Sequence, residues 1–338
     1  MSDIEDDVPF WAVSDTLISQ ESCYLTTRCN GKRFYIIAEA PDFEDEIGDL
    51  KKEFLEMVEA ESVDELEIWM AEPFLPIMKA LAPTAPLSLT LEQFYNAETF
   101  TFKLVSNDGK LSPVPLPDDT DPNAYISPKI SAHRLPTGHN IKSIDASAVS
   151  AAPIDDNERY FGADAPTKVS VDGKQYHFKP VQIRHSFIRE FRILSKLVET
   201  GLNERCRVPT ISFLVHYTDD EGSIIGFLLE PIKSKRTIYL YEFEDIQPQQ
   251  RQKWVAQIEE LVRQLHDNDI VRGDVEPDRV LIDEEDNVWL LDFGHGYNSV
   301  TETVEVDAQG VSRITKYLDD PEKWTTSSGD SDEDSDSQ

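Results

Sequence analysis

The sequence predicts an α+β fold in which short strands and amphipathic helices follow one another along 338 residues. Near the N-terminus, the β-rich runs at residues 22–27 and 33–38 flank Asn30 and Gly31, a pair that tolerates the positive φ angles of a type I′ hairpin turn. In the second half, paired apolar runs separated by turn residues precede helical patterns. The length suffices for two units that each bury a core.

Helical patterns follow the first hairpin. Residues 47–59 carry apolar side chains at helical spacing. Ser62, with Glu65 three residues later, is typical of a capping box that opens the next helix. Residues 99–105 form a predicted strand that ends in an Asn-Asp-Gly turn at 107–109. These patterns indicate core packing and not cofactor binding.

A proline-rich stretch follows this strand. Residues 111–128 contain five prolines and three aspartates, a composition that favours a linker or a loop along a sheet edge. We therefore predict a small N-terminal α+β unit at residues 1–150, which includes this linker and a short helical or extended segment at 89–94. The residue chemistry of this unit does not indicate its role.

The composition argues against several classes of function. A formal net charge of −33 at pH 7 would repel the phosphate backbone of nucleic acids and an anionic membrane surface. No apolar run approaches the ~20 residues of a membrane span. The first ten residues lack the basic and apolar segments of a secretory signal, so we expect a cytoplasmic or nuclear protein. Three cysteines are too few for a disulfide framework and lack zinc-site spacing.

A lysine and a glutamate stand out in the second half. Residues 169–171 and 176–178 predict two strands around an Asp-Gly turn, and Lys179 ends the second strand. Glu190, eleven residues later, lies in a helix predicted at 186–199. The two side chains can pair with each other, or each can simply face solvent.

Further strands and a helix follow. Residues 211–216 and 223–229 alternate as two strands. Residues 252–266 carry apolar side chains at the spacing of a helix that packs on a core. The order of elements in this half is therefore two strands, a helix, two strands and a helix.

The segment at residues 270–296, IVRGDVEPDRVLIDEEDNVWLLDFGHG, has the pattern of an active site. Asp274 lies in a polar loop, and residues 280–283 predict a strand. A second strand at 288–291 leads into Asp292, the first residue of an Asp-Phe-Gly turn. Two carboxylates at the ends of a small hairpin suit phosphoryl transfer, in which one orients the attacking hydroxyl and the other holds the magnesium that bridges the nucleotide phosphates.

With these motifs, the chain resembles the kinase-like proteins of filamentous fungi, which are relatives of protein kinases and aminoglycoside phosphotransferases. In those proteins the loop reads close to WGDxKPDNVLID and the metal-binding turn close to WLIDFGGG. Here Arg272, Glu276, Arg279 and His295 replace the Trp, Lys, Asn and Gly of that pattern. The resemblance implies an abbreviated bilobal protein-kinase-like fold that uses ATP and Mg²⁺.

The resemblance also implies roles for individual residues. Asp274 would be the catalytic base and Asp292 the metal ligand, while Lys179, held by Glu190, would bind the nucleotide phosphates. The glycine-rich loop that covers the phosphates in kinases is missing upstream of Lys179. We therefore expect nucleotide binding to be weak.

The same resemblance implies roles for residues outside the catalytic loop. The segment from Glu230 to Ile232 looks like the hinge where the backbone bonds adenine. His266 is interpreted as a buried, hydrogen-bonding histidine rather than a base or a metal ligand. Asp307, in a helix predicted at 307–318, is placed like the kinase residue that braces the catalytic loop.

Two replacements bear on activity. Arg279 stands where kinases place an asparagine that binds a second magnesium, and a guanidinium has no acceptor atom. Glu276 puts a negative charge where a lysine would attend the transferred phosphate. Either the two residues pair in a loop that no longer catalyses, or Arg279 bonds phosphate directly in place of the second metal.

Two functions therefore remain open. The first is an MgATP-dependent phosphotransferase with a weakened active site and an unknown protein or small-molecule acceptor. The second is a pseudokinase that acts as a binding or scaffold protein. The kinase-like domain is predicted at 151–325, with a small lobe at about 160–233 and a helical lobe at about 234–325, and residues 326–338 are predicted to be a disordered acidic tail.

Overall fold

The computed structural model describes residues 11–43, 49–60, 62–86, 88–117, 129–151, 166–217, 222–273, 275–294 and 303–319. The chain divides into two units. Unit 1 comprises Met1–Ser127 and Asp145–Phe178, and unit 2 comprises Pro128–Ile144 and Lys179–Gln338. The predicted acidic tail at 326–338 lies outside the described residues.

Unit 1 contains a five-stranded sheet. Its strands are β1 (Trp11–Ile18), β2 (Ser22–Cys29), β3 (Lys32–Glu39), β4 (Thr99–Asn107) and β5 (Lys110–Pro115), in spatial order β1-β2-β3-β4-β5. β2 and β3 form the predicted hairpin, in which Asn30 and Gly31 have φ angles of 47° and 80°, as a type I′ turn requires. β3 pairs with β4 in parallel, and the other neighbours pair antiparallel.

Strand β5 corrects the predicted linker, because residues 111–115 lie in it. Pro113 pairs opposite Leu104, and Pro115 pairs opposite Phe102. β5 is at the edge of this sheet, where proline is tolerated because one side of an edge strand needs no donor. Residues 118–128 of the predicted linker lie outside the described residues.

The described helices of unit 1 are α1 (Leu50–Glu59), α2 (Val63–Ala71), α3 (Leu75–Leu81) and α4 (Leu91–Tyr95). Ser62 precedes α2, but its side chain makes no capping hydrogen bond, so the capping box predicted there is wrong. Thr90 and Gln93 form a capping box at the start of α4 instead. The helices and the sheet share an aromatic core that includes Phe34, Phe54 and Phe74. The second sheet region of unit 1 holds β7 (Ser150–Ala151), β8 (Lys168–Val171) and most of β9 (Lys174–Pro180), paired antiparallel in that order.

Unit 2 contains the strands and helices predicted from residue 186 onward, whereas the strands predicted at 169–171 and 176–178 lie in unit 1. Its strands are β6 (Lys142–Asp145, of which Asp145 counts with unit 1), β10 (Ile211–His216), β11 (Ile224–Leu229), β12 (Ser234–Thr237), β13 (Val280–Asp283) and β14 (Val288–Leu290). β10 and β11 pair antiparallel, and β12, β13 and β14 form a second antiparallel sheet. The predicted α+β class is confirmed.

The described helices of unit 2 are α5 (Arg184–Glu199), α6 (Pro248–His266) and α7 (Val304–Asp319). Each begins before its predicted start. α6 begins four residues earlier because Pro248 is accepted in the first turn, where its missing N–H has no intrahelical partner. The helices bury Phe191, Trp254 and Ile314 in a core that continues into the strands of this unit. None of the helices that the structure describes is long and apolar enough to cross a membrane.

Candidate active site

Three charged side chains of unit 2 meet at the end of β9. Lys179 Nζ lies 2.6 Å from Glu190 Oε2 and 2.7 Å from Asp292 Oδ1. Glu190 comes from α5 and its side chain is 3% exposed, whereas those of Lys179 and Asp292 are 29% and 38% exposed. The structure therefore brings Lys179 and Glu190 together, which is the first of the two alternatives that the sequence left open and the one that the resemblance implies. It adds a direct contact from Lys179 to Asp292.

These contacts shift the pKa values of the three groups. Burial opposes the charge of Lys179, but Glu190 and Asp292 together outweigh it and raise the pKa of Lys179. Burial also acts to raise the pKa of Asp292, yet the neighbouring cations, Lys179 foremost, lower it below its ordinary value. Burial raises the pKa of Glu190, against the pull of Lys179. Lys179 and Asp292 are thus both charged across the neutral range.

Buried side chains hold the turn that carries Asp292. Asp292 has a φ angle of 54°, in the left-handed region that non-glycine residues seldom adopt. The guanidinium of Arg272 donates to the carbonyl oxygen of Asp292 at 3.0 Å and to that of the preceding residue at 2.8 Å. Arg189 donates to the carbonyl oxygen of Phe293, and the Phe293 N–H donates to Glu190 Oε1 at 3.3 Å. Glu190 therefore contacts both Lys179 and the backbone of the turn.

Gly294 allows a close approach between this turn and α5. A Cβ atom at Gly294 would lie 3.1 Å from the carbonyl oxygen of Ser186 and would overlap the Ser186 hydroxyl. The glycine of the Asp-Phe-Gly turn is therefore required by packing as well as by the motif. His295, which follows it, lies outside the described residues.

Asp307 braces the loop that precedes Asp274. This fully buried carboxylate accepts a hydrogen bond of 2.9 Å from the backbone N–H of Arg272 and one of 2.6 Å from that of Gly273. His266 Nε2 lies 2.8 Å from Asp307 Oδ2, and the His266 side chain is 19% exposed. His266 is thus hydrogen-bonded, as the sequence predicts, but half-buried.

The same helix contacts the other side of the loop. A Cβ atom at Gly310 would stand 2.7 Å from the backbone nitrogen and 2.8 Å from the carbonyl oxygen of Val275. α7 therefore holds the chain on both sides of Asp274, through Asp307 before it and Gly310 after it. Asp274 itself lies outside the described residues.

Arg279 lies among carboxylates. Its Nε atom is 3.6 Å from Asp292 Oδ2, 3.8 Å from Glu276 Oε2 and 4.0 Å from Asp278 Oδ2. These separations are those of loose ion pairs. Arg279 therefore does not form one tight pair with Glu276, because Asp292 is at least as near.

Among the described residues of this cluster, Asp292 offers a carboxylate that fits one magnesium ion. Magnesium is commonly bound through one or two carboxylates, with nucleotide phosphates and water completing the octahedron, and Asp292 can supply such a carboxylate. The guanidinium of Arg279 has no acceptor for a second ion. Within the described ranges, no three His, Cys, Asp or Glu residues are grouped to hold a metal.

A small cavity of about 140 Å³ lies beside Lys179, Glu190, Arg279 and Asp292. Typical sites for small molecules measure roughly 300–1,000 Å³, so this cavity has room for part of a nucleotide. The predicted hinge residues Glu230 and Ile232 do not line it.

The predicted hinge segment, residues 230–232, already makes some hydrogen bonds within the protein. The Glu230 N–H donates to the carbonyl oxygen of Thr210 at 2.9 Å, and its carboxylate accepts from Ser212 Oγ at 2.5 Å. The backbone of Ile232 makes no hydrogen bond to any residue that the structure describes. A hydrogen bond from this segment to adenine stays a prediction.

Sequence reasoning named Asp307 as the brace of the loop, but it missed the structural roles of Arg189, Arg272 and Gly310. Arg189 and Arg272 are buried guanidinium groups that bond backbone carbonyls. A possible signal was Arg272 itself, because a charged residue inside an apolar and glycine-bearing segment needs acceptors when it is buried. Gly310, in the middle of a helical pattern, was a second signal, because glycine there is unfavourable unless packing requires it.

Residues 167–326 are similar to known kinase families. A model of the lipopolysaccharide kinase (Kdo/WaaP) family matches residues 167–326. The serine/threonine-protein kinase PKH2 of Candida albicans is 24% identical to the chain over 127 residues, and PKH2 of Saccharomyces cerevisiae is 28% identical over 127 residues. This chain contains a protein-kinase-like domain.

The matches are partial. Each PKH2 match covers 37% of this chain, but 13% of the Candida albicans protein and 12% of the Saccharomyces cerevisiae protein. The span 167–326 includes Lys179, Glu190, Asp292 and Asp307. The charged cluster and its brace therefore lie in the kinase-like domain.

Proposed function

We propose that the kinase-like domain binds MgATP weakly and transfers the γ-phosphoryl group to a hydroxyl acceptor at a low rate. The observation that carries this proposal is the position of Lys179 Nζ, 2.6 Å from Glu190 and 2.7 Å from Asp292. A kinase site needs this lysine beside the carboxylate that holds the metal. Lys179 meets Glu190, eleven residues later, and Asp292, 113 positions away, in that arrangement here.

Lys179 would bind the nucleotide phosphates. Its raised pKa keeps the ammonium charged. Glu190 is buried and is also bonded to the backbone of Phe293, so it stays in place when Lys179 exchanges Asp292 for a phosphate oxygen. Lys179 gives up its ion pair with Asp292 when it binds a phosphate. The net gain in the free energy of nucleotide binding is therefore limited.

Asp292 and Arg279 would together serve in place of two metal sites. Asp292 would hold one magnesium ion, which neutralises charge on the phosphates when bound. Arg279, 3.6 Å from Asp292 Oδ2, would bond the phosphates directly in place of a second ion. Asp274, which follows Gly273 and precedes Val275, two residues that contact α7, would accept the proton of the attacking hydroxyl, and ADP would leave.

Three features support weak activity. The glycine-rich loop is missing from the sequence before Lys179. The cavity beside Lys179 is about 140 Å³. Glu276 brings a negative charge within 3.8 Å of Arg279 and so competes with phosphate for the guanidinium.

Calorimetry with MgATP tests the binding step. We expect saturable binding with a Kd weaker than about 1 µM, or about −8 kcal/mol, which Lys179→Met removes. Lys316→Met is the matched control, because Lys316 is an exposed lysine of α7 and its loss should leave binding unchanged. Binding that survives Lys179→Met in a folded variant, or no binding to the wild type, would reject the proposal.

A pseudokinase that serves as a binding protein is the second candidate. The observation that favours it is Arg279 beside Asp292, because a cation already neutralises the carboxylate that would hold magnesium. In that case the charged cluster stabilises the fold and need not bind nucleotide. Binding of ATP without turnover, or the absence of both, would favour this candidate.

A further inference from the structure

Unit 2 has a larger groove whose lining residues are all different from those of the cavity at Lys179. It measures about 800 Å³ and lies between α6 and residues 203–207, next to Trp289. This volume is in the range of specific binding sites. None of the residues assigned to phosphoryl transfer lines it.

The groove has a fixed apolar wall. The Leu290 N–H donates to the carbonyl oxygen of Arg207 at 3.1 Å, which joins β14 to residues 203–207. The indole of Trp289 donates to Asp283 Oδ2 at 2.9 Å, which orients the ring. The buried Leu261 of α6 also lines the groove. The wall can therefore receive an apolar side chain.

Cations line the same groove. Arg205, Arg207 and Lys253 contribute to it. Within the described part of the chain, neither arginine side chain forms a hydrogen bond or an ion pair, and Lys253 Nζ donates to the backbone carbonyl oxygen of Glu285 at 3.4 Å. A guanidinium is suited to bidentate bonding of carboxylates.

The acidic residues of the groove do not cancel these cations. Glu260 is bonded by Arg263, which lies outside the groove, at 2.7 Å, and by Gln264 at 2.6 Å. Glu204 is the other lining carboxylate. The whole chain has 65 acidic and 32 basic residues, so a groove in which cations outnumber acids departs from the rest of the surface.

We propose that this groove docks an extended acidic segment of a partner protein. Carboxylates of that segment pair with Arg205, Arg207 and Lys253, while an apolar side chain packs on Trp289 and Leu261. A protein segment supplies both charges and an apolar group along one short stretch. A nucleic acid supplies a much longer run of negative charge, which the net charge of −33 repels more strongly than it repels a short acidic segment.

Fluorescence anisotropy with the full chain and a labelled Glu-rich peptide that carries a central leucine tests the proposal. We expect saturable binding that weakens with added salt and that a counterpart with Gln in place of each Glu does not show. Arg205→Glu and Arg207→Glu should each weaken binding about tenfold or more. Replacing the leucine by serine should also weaken it.

Arg192→Glu is the matched control. Arg192 is an exposed arginine of α5 that does not line the groove, and its replacement changes the net charge by the same amount. Arg205 is exposed, so its variant keeps the test valid if Arg207→Glu unfolds the chain. An equal loss in Arg192→Glu would show a general charge effect and overturn the proposal, as would the absence of saturable binding to the wild type. The test needs no nucleotide, so it fails or succeeds independently of phosphoryl transfer.

Discussion

Gly310 of α7 approaches Val275 so closely that a Cβ atom on Gly310 would stand 2.7 Å from the Val275 backbone nitrogen. The two nearest atoms belong to the backbone of Val275, so they cannot rotate away as the end of a flexible side chain could. The contact therefore fixes the chain immediately after Asp274. Together with Asp307, it makes α7 the support of the proposed catalytic loop.

Gly310→Ala should displace this loop. We expect a loss of about 1–3 kcal/mol in the free energy of unfolding, which is typical of overpacking, together with weaker MgATP binding. Urea unfolding and calorimetry measure both effects. Ser312→Ala, at an exposed position of the same helix, should be close to neutral. A Gly310→Ala variant as stable and as active as the wild type would show that the loop is not held by this contact.

Asp307→Ala should be more harmful than Asp307→Asn. Alanine leaves the N–H groups of Arg272 and Gly273 without their acceptor in a buried site, at a cost of roughly 1–3 kcal/mol each. Asparagine keeps one acceptor oxygen and should lose less. Chemical denaturation ranks the two variants, and equal stabilities would mean that the loop finds other acceptors.

The fold was largely predictable because its signals are local. The hairpin at Asn30 and Gly31 follows from the φ angles that those residues tolerate, and the helices follow from apolar spacing. β5 was missed because its prolines argue against a strand, and they are accepted there only because β5 is at a sheet edge. Its edge position depends on tertiary pairing, which the local pattern does not contain.

The candidate site was predictable in part. The positions of Lys179 on a strand and Glu190 on the next helix allowed their pairing, and the resemblance to kinases implied it. The contact of Lys179 with Asp292 joins residues 113 positions apart, and the bonds from Arg189 and Arg272 run to backbone carbonyls. Bonds to the backbone leave no residue pattern at the accepting position, so no spacing rule reveals them.

The charge of Asp292 should make the free energy of unfolding depend on pH in the acidic range. Its pKa is lowered in the folded chain, so its ionised form stabilises the fold above the unfolded pKa of about 3.9, and this contribution is lost as the pH falls through the lower folded value. The difference in unfolding free energy between the wild type and Asp292→Asn should stay constant from about pH 6 to 8 and shrink below about pH 4. A difference that changes between pH 6 and 8 would contradict the assigned charge state.

The thiols of unit 1 should be inert in the folded chain. Burial, with a smaller contribution from Glu67, raises the pKa of Cys23 to about 12, and burial raises the pKa of Cys29 to about 11. Thiolate, the reactive form, is therefore scarce at pH 8. A colorimetric thiol reagent should label neither residue until urea unfolds the chain. Both side chains are buried in β2, so rapid labelling of Cys23 or Cys29 in the folded chain would contradict this position.

Single-turnover hydrolysis of ATP in the presence of magnesium tests the central claim most directly. The wild type, Asp274→Asn and the double variant Glu276→Lys with Arg279→Asn are compared. If Arg279 bonds phosphate in place of a second ion, the wild type turns over slowly, Asp274→Asn lowers the rate by about 10²-fold or more, and the double variant is slower than the wild type. A faster double variant would show instead that Arg279 disables the loop. No turnover in any of the three, or a rate unchanged by Asp274→Asn, would contradict the assignment of phosphoryl transfer to this domain.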